Sequence, residues 1–88
     1  MNPQVVKLTD PVQAHGREIT ELTFRRPVAK DLRAFDKGGE IAGMIELIAS
    51  LTGLPVSTIE SLSVQDFTAC SEVVGGFLDS GRATGKRV

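Results

Sequence analysis

Apolar and polar positions alternate at the start of the chain and then switch to a helical period. Val5-Val6-Lys7-Leu8-Thr9 is rich in β-branched residues. In Glu18-Ile19-Thr20-Glu21-Leu22-Thr23-Phe24 the alternation puts Thr20, Leu22 and Phe24 on one face. Between these runs lie Pro11 and then His15-Gly16, where glycine can take the positive φ of a tight turn. The pattern predicts a two-stranded hairpin turning near His15-Gly16. A lone hairpin is barely stable in water, so this one must pack on helices or extend a sheet in another chain.

Pro27 suits the first turn of a helix, where its missing N–H is not needed. Val28, Leu32 and Phe35 follow at i, i+4, i+7 as one stripe, with Asp31 in the first turn, where the helix dipole favours a negative charge. Gly38-Gly39 is the expected stop for this short helix. A second helix is predicted over Glu40–Thr52: Ile41, Met44, Ile45, Ile48 and Leu51 keep the 3.6 period, and Leu47 widens the stripe. Gly53 and Pro55 end it. Ser57-Thr58-Ile59-Glu60 has the spacing of a capping box opening one short turn. Ser63-Val64-Gln65-Asp66 gives a similar signal for the longest helix, whose apolar arc is Val64, Phe67, Cys70, Val74, Phe77 and Leu78. Gly75-Gly76 weakens its last third by about 1 kcal/mol per glycine. Residues 80–88 are polar, basic and glycine-containing, and are expected to form a flexible tail. The fold class is α+β: an N-terminal hairpin and three helices, the first short, in one domain over residues 1–79.

Composition narrows the function. Ten Lys and Arg against eleven Asp and Glu leave a net charge of −1, which gives no electrostatic footprint for nucleic acid. Trp and Tyr are absent and four Phe are the only aromatics, too few for a base-stacking platform. No apolar run approaches the roughly 20 residues of a membrane span. Met1-Asn2-Pro3-Gln4 lacks the features of a signal peptide, and one cysteine forms no internal disulfide, so a cytosolic setting is expected.

The candidates for chemistry are few. His15 falls in a turn and Cys70 in an apolar helical arc, so the first reads as a solvated turn residue and the second as a small core residue. No second soft ligand accompanies them, so neither a metal nor a cofactor is expected. Gly81-Arg82-Ala83-Thr84-Gly85-Lys86-Arg87 is one residue short of a phosphate loop between its glycines and has no Ser or Thr after the lysine. The carboxylates are scattered along polar faces, with no pair spaced as an acid and a base. No catalytic residue emerges, and the chain reads as a protein-binding module. Met44, Leu47, Leu51, Phe67 and Phe77 are in the first place core positions. The wide apolar arcs nevertheless leave a surplus suited to a groove for an amphipathic partner helix, which Met44 would help adapt to varied sequences. By arc position the expected partner-binding residues are Met44, Leu47, Leu51 and Phe77. Replacing Leu47 with Asp is then expected to weaken capture without unfolding the domain.

The order of signals also carries a resemblance. Leu22-Thr23-Phe24-Arg25-Arg26-Pro27 is followed by Asp31-Leu32, then by Leu51-Thr52-Gly53-Leu54-Pro55, then by Leu62-Ser63-Val64-Gln65-Asp66-Phe67. From about Leu8 to Leu78 this resembles the Mu-like family of bacteriophage tail assembly chaperones. The resemblance implies a protein that binds the tape measure protein and keeps it soluble until the tail tube polymerises. Tube subunits would be a further candidate partner, the setting the host bacterial cytoplasm, and the protein absent from the mature virion. The exposed hairpin edge could also pair with its own copy. Two other readings stay open: a structural tail or head-tail component, and a small helix-turn-helix regulator. The second is disfavoured because no basic residue lies between Lys37 and Arg82.

Overall fold

The computed structural model describes the backbone over residues 4–36 and 39–86, and the side chains over 4–34 and 39–77. Strand β1 (Gln4–Ala14) pairs antiparallel with β2 (Arg17–Phe24). A 3-10 helix (Ala29–Asp36) follows, then α1 (Gly39–Thr52), α2 (Val56–Glu60) and α3 (Val64–Lys86). This is the predicted α+β order, a hairpin and then helices.

The turn sits at His15-Gly16, where both residues have positive φ, 54° and 75°. That is the conformation of a two-residue turn matched to strand twist. Pro11 does not separate the strands, as the sequence suggested, but lies within β1. There the register shifts between Lys7↔Glu21 and Val12↔Ile19, so that Leu8 to Pro11 stand opposite Thr20 alone. An extended bulge of this kind tolerates a residue without an N–H. It also flips the phase of β2: Leu22 and Phe24 face the core, Ile19 is half-buried on the same side, and Thr20 is exposed.

The hairpin's inner face and the helices share one core. Phe24, Leu22, Leu47, Ile48, Ile59, Cys70 and Val74 are all at most 1% exposed. Each large apolar side chain so buried contributes about 1.5–3 kcal/mol before conformational entropy is set against it. Gly53 (φ 74°) ends α1, its N–H and that of Leu54 both returning to the Ala49 carbonyl at 2.9 and 3.2 Å.

Several sequence expectations change here. The stripe Val28-Leu32-Phe35 does not form, since Val28 and Leu32 are 54% and 44% exposed; Phe35's side chain lies outside the described residues. With three residues per turn instead of 3.6, the 3-10 helix brings Asp31 and Ala34 inward. Gly39, expected to close that helix, instead opens α1 with φ 92°, and Gly38 is outside the described residues. Helix α2 starts at Val56, with Pro55 as its cap and no side-chain cap bond, so Ser57 opens nothing. Val64, placed in the α3 arc, is 81% exposed. Finally, α3 runs on through Gly75-Gly76 to Lys86. Propagating a formed helix by one residue is inexpensive even where nucleating one is not.

Candidate partner-binding surface

Two buried carboxylates fix the helices on the hairpin. Asp31 receives the Arg25 guanidinium bidentately, at 3.0 Å to each oxygen, and the Val28 N–H at 2.7 Å. The Arg25 hydrogen bond, helped by Val28, holds the Asp31 carboxyl below the usual carboxylate range. Arg25 also donates to Ser50 Oγ (3.3 Å), and its backbone N–H to the Leu51 carbonyl (3.1 Å), which fastens the C-terminal end of α1 to the end of β2.

Among the described residues Asp66 has no cation partner. Its backbone N–H is capped by Ser63 Oγ at 3.1 Å, the first half of the predicted capping box. The carboxylate does not take the Ser63 backbone N–H, the second half of that box. It takes the N–H groups of Thr9 and Asp10 and the Thr9 hydroxyl, at 3.0–3.2 Å, inside the β1 bulge. Burial pushes this carboxyl up, but the Thr9 and Asp10 donors outweigh it and hold it below its ordinary value. Thr58, 4% exposed, closes the same side with a 2.8 Å bond from Oγ1 to the Gln13 carbonyl. Sequence reasoning missed Asp66 and Thr58 as fasteners of the strand because their partners lie 57 and 45 residues away.

Between the N-terminal turns of α1 and α3 the surface is open. An apolar groove of about 340 Å³ is lined by Glu40, Ile41, Met44, Phe67 and Ser71. Ile41 is 65% exposed, while Met44 and Phe67 are half-buried at the groove floor. A second groove, about 240 Å³, is polar, with Lys30, Arg33, Glu46 and Ser50 around Asp31.

The four residues expected to touch a partner therefore separate. Met44 lines the groove and Phe77 is half-buried against the core from α3. Leu47 (0%) and Leu51 (2%) are closed inside and offer a partner no surface while the domain is folded. Leu47→Asp would place a charge in the core and is now expected to unfold the domain. The exposed member of the surface is Ile41, which the sequence assigned only to the core stripe.

The remaining chemistry is sparse. Cys70 is fully buried, and burial together with the nearby Asp66 charge pushes its thiol up to about 11, far from a reactive thiolate. His15 is exposed in the turn. Among the described residues no three His, Cys, Asp or Glu side chains converge as metal ligands, and no helix is long and apolar enough to cross a membrane.

The family indicates what kind of work such a surface does. The sequence model of a family described as "Phage tail assembly chaperone proteins, E, or 41 or 14" matches residues 5–79. The chain belongs to this family. The match spans the hairpin, the 3-10 helix, α1, α2 and the anchored part of α3, and agrees with the resemblance carried by Leu22–Pro27, Leu51–Pro55 and Leu62–Phe67. No curated protein and no solved structure matches the chain. This tail assembly chaperone thus takes part in phage tail assembly, a role exercised on protein partners.

Proposed function

We propose that this tail assembly chaperone binds the tape measure protein and keeps it soluble in the host cytoplasm until tail tube subunits polymerise around it. The observation that carries the reading is the groove of Ile41, Met44 and Phe67 on a domain of the tail assembly chaperone family. An amphipathic helix presents apolar residues at i, i+3 and i+4, and an open channel between two helices accepts such a stripe. Met44 has an unbranched, polarizable side chain that can adapt to successive segments of a long chain. Holding apolar stripes away from water is a binding task, needing neither nucleophile nor metal.

The test is co-expression with the tape measure protein of the same phage. A soluble complex in which both chains co-purify is expected. The reading fails if the tape measure protein aggregates equally with and without this chain. Recovery of the chain in purified virions would favour a structural tail component instead.

A further inference from the structure

The two edges of the hairpin differ. On β1 the outward backbone groups at the bulge and beyond it are bonded to the helices: Thr9 and Asp10 N–H to Asp66, and the Gln13 carbonyl to Thr58. A bulge and Pro11 blunt it further. On β2 the outward groups can be assigned from the ladder. Ala14 and Arg17 close a two-residue turn as a hydrogen-bonded pair, so their neighbours Gln13 and Glu18 point outward. At the other end the Arg25 N–H turns outward to Leu51, and alternation then puts Thr23 and Glu21 on the same edge. Glu18, Thr20, Glu21 and Thr23 are all exposed, and none has a hydrogen bond to another element among the described residues.

We infer that β2 pairs antiparallel with β2 of a second copy, giving a four-stranded sheet. The strand is self-complementary in one register. With Arg17 opposite Phe24, Glu18 faces Thr23, Ile19 faces Leu22 and Thr20 faces Glu21. Glu18 and Thr23 both point outward and form the hydrogen-bonded pair, and Ile19 and Leu22 both lie on the helix side. All eight residues of β2 are used and no two carboxylates oppose. Sliding Glu18 opposite Glu21 would set like charges together in both halves of the pair, and sliding Leu22 opposite Leu22 would shorten the paired strand to residues 20–24. Because opposite residues share a face, the helices of both copies lie on one side, presenting two Ile41–Met44–Phe67 grooves to the same partner.

Sedimentation equilibrium over about 5 μM to 1 mM tests this. Pairing by one strand is small beside a standard interface, so a dissociation constant on the order of 10–100 μM is expected. The weight-average mass should rise from 9.4 kDa toward twice that value. Thr23→Glu, which sets a carboxylate opposite Glu18 in each half, should weaken the dimer about tenfold. Glu18→Lys in the same chain should restore it by pairing Lys with Glu at both positions. A constant 9.4 kDa overturns the inference. So does a dimer that Thr23→Glu leaves unchanged or that Glu18→Lys does not rescue, and if Ile41→Asp breaks such a dimer, the copies meet through the groove instead.

Discussion

The two ends of α1 obey the same sequence rule and meet different fates. Ile41, Met44, Ile48 and Leu51 share one apolar stripe, yet Ile48 and Leu51 are closed in the core while Ile41 is 65% exposed. The C-terminal end is covered because something fastens it: the Arg25 N–H on the Leu51 carbonyl, the Arg25 side chain on Ser50, and Gly53 turning the chain back. At the N-terminal end, Phe67 and Ser71 of α3 lie across an open groove from Glu40, Ile41 and Met44. A helical period thus says which side of a helix is apolar, and the tertiary fasteners decide how much of that side a monomer covers. The uncovered part is what remains for a partner.

The closed end should break hardest. Leu47→Ala is expected to lose about 2–5 kcal/mol, because the lost burial is joined by a cavity, whereas Ile41→Ala should stay within about 0.5 kcal/mol. Urea unfolding followed by circular dichroism measures both, and equal losses would erase the distinction between the two ends.

Next in size is Asp66→Ala. It strands the Thr9 and Asp10 N–H groups beside a buried site and is expected to cost about 2–3 kcal/mol in the same assay. Asp31→Asn should cost less, since Arg25 is nearly half-exposed and falls back on solvent. Both carboxyls have folded pKa values below their ordinary 3.8. Their contribution is therefore fully present above about pH 4 and is lost as pH falls through the lowered folded values. Stability measured from pH 6 down to pH 2 should fall below pH 4, and Asp66→Asn should flatten that fall. An unchanged slope would mean that folding does not lower the Asp66 pKa.

The smallest effect sharpens the contrast from inside. Cys70 is fully buried with its thiol pushed up to about 11, so a thiol reagent at pH 8 should label it only when the domain opens. Labelling should accelerate in Leu47→Ala and Asp66→Ala and stay at the wild-type rate in Ile41→Asp. Fast labelling of the wild type would show the core end to be as open as the groove.

How much was legible follows from the range of the interactions. The hairpin turn, the two strands and α1 are written in local chemistry: glycine at a positive-φ turn, period two, period 3.6, and a Gly-x-Pro stop. The Ser63 cap was legible because its partner N–H is three residues away. The 3-10 helix was not, because its geometry depends on Asp31 turning inward to Arg25. The β1 bulge was hidden because Asp66, which holds it, comes 56 residues after Asp10. Of the predicted surface residues, Met44 lines the groove, while Leu47 and Leu51 are buried because that arc spans both the closed and the open end. Ile41 carried no local mark of its exposure.

The most direct test sets the open end against a folded control. The tape measure protein is co-expressed with wild type and with Ile41→Asp, after circular dichroism has shown the variant to be folded. Soluble tape measure protein with wild type, and its loss with Ile41→Asp, is the predicted result. Equal solubility with both would contradict the account and move the binding surface away from the α1–α3 groove.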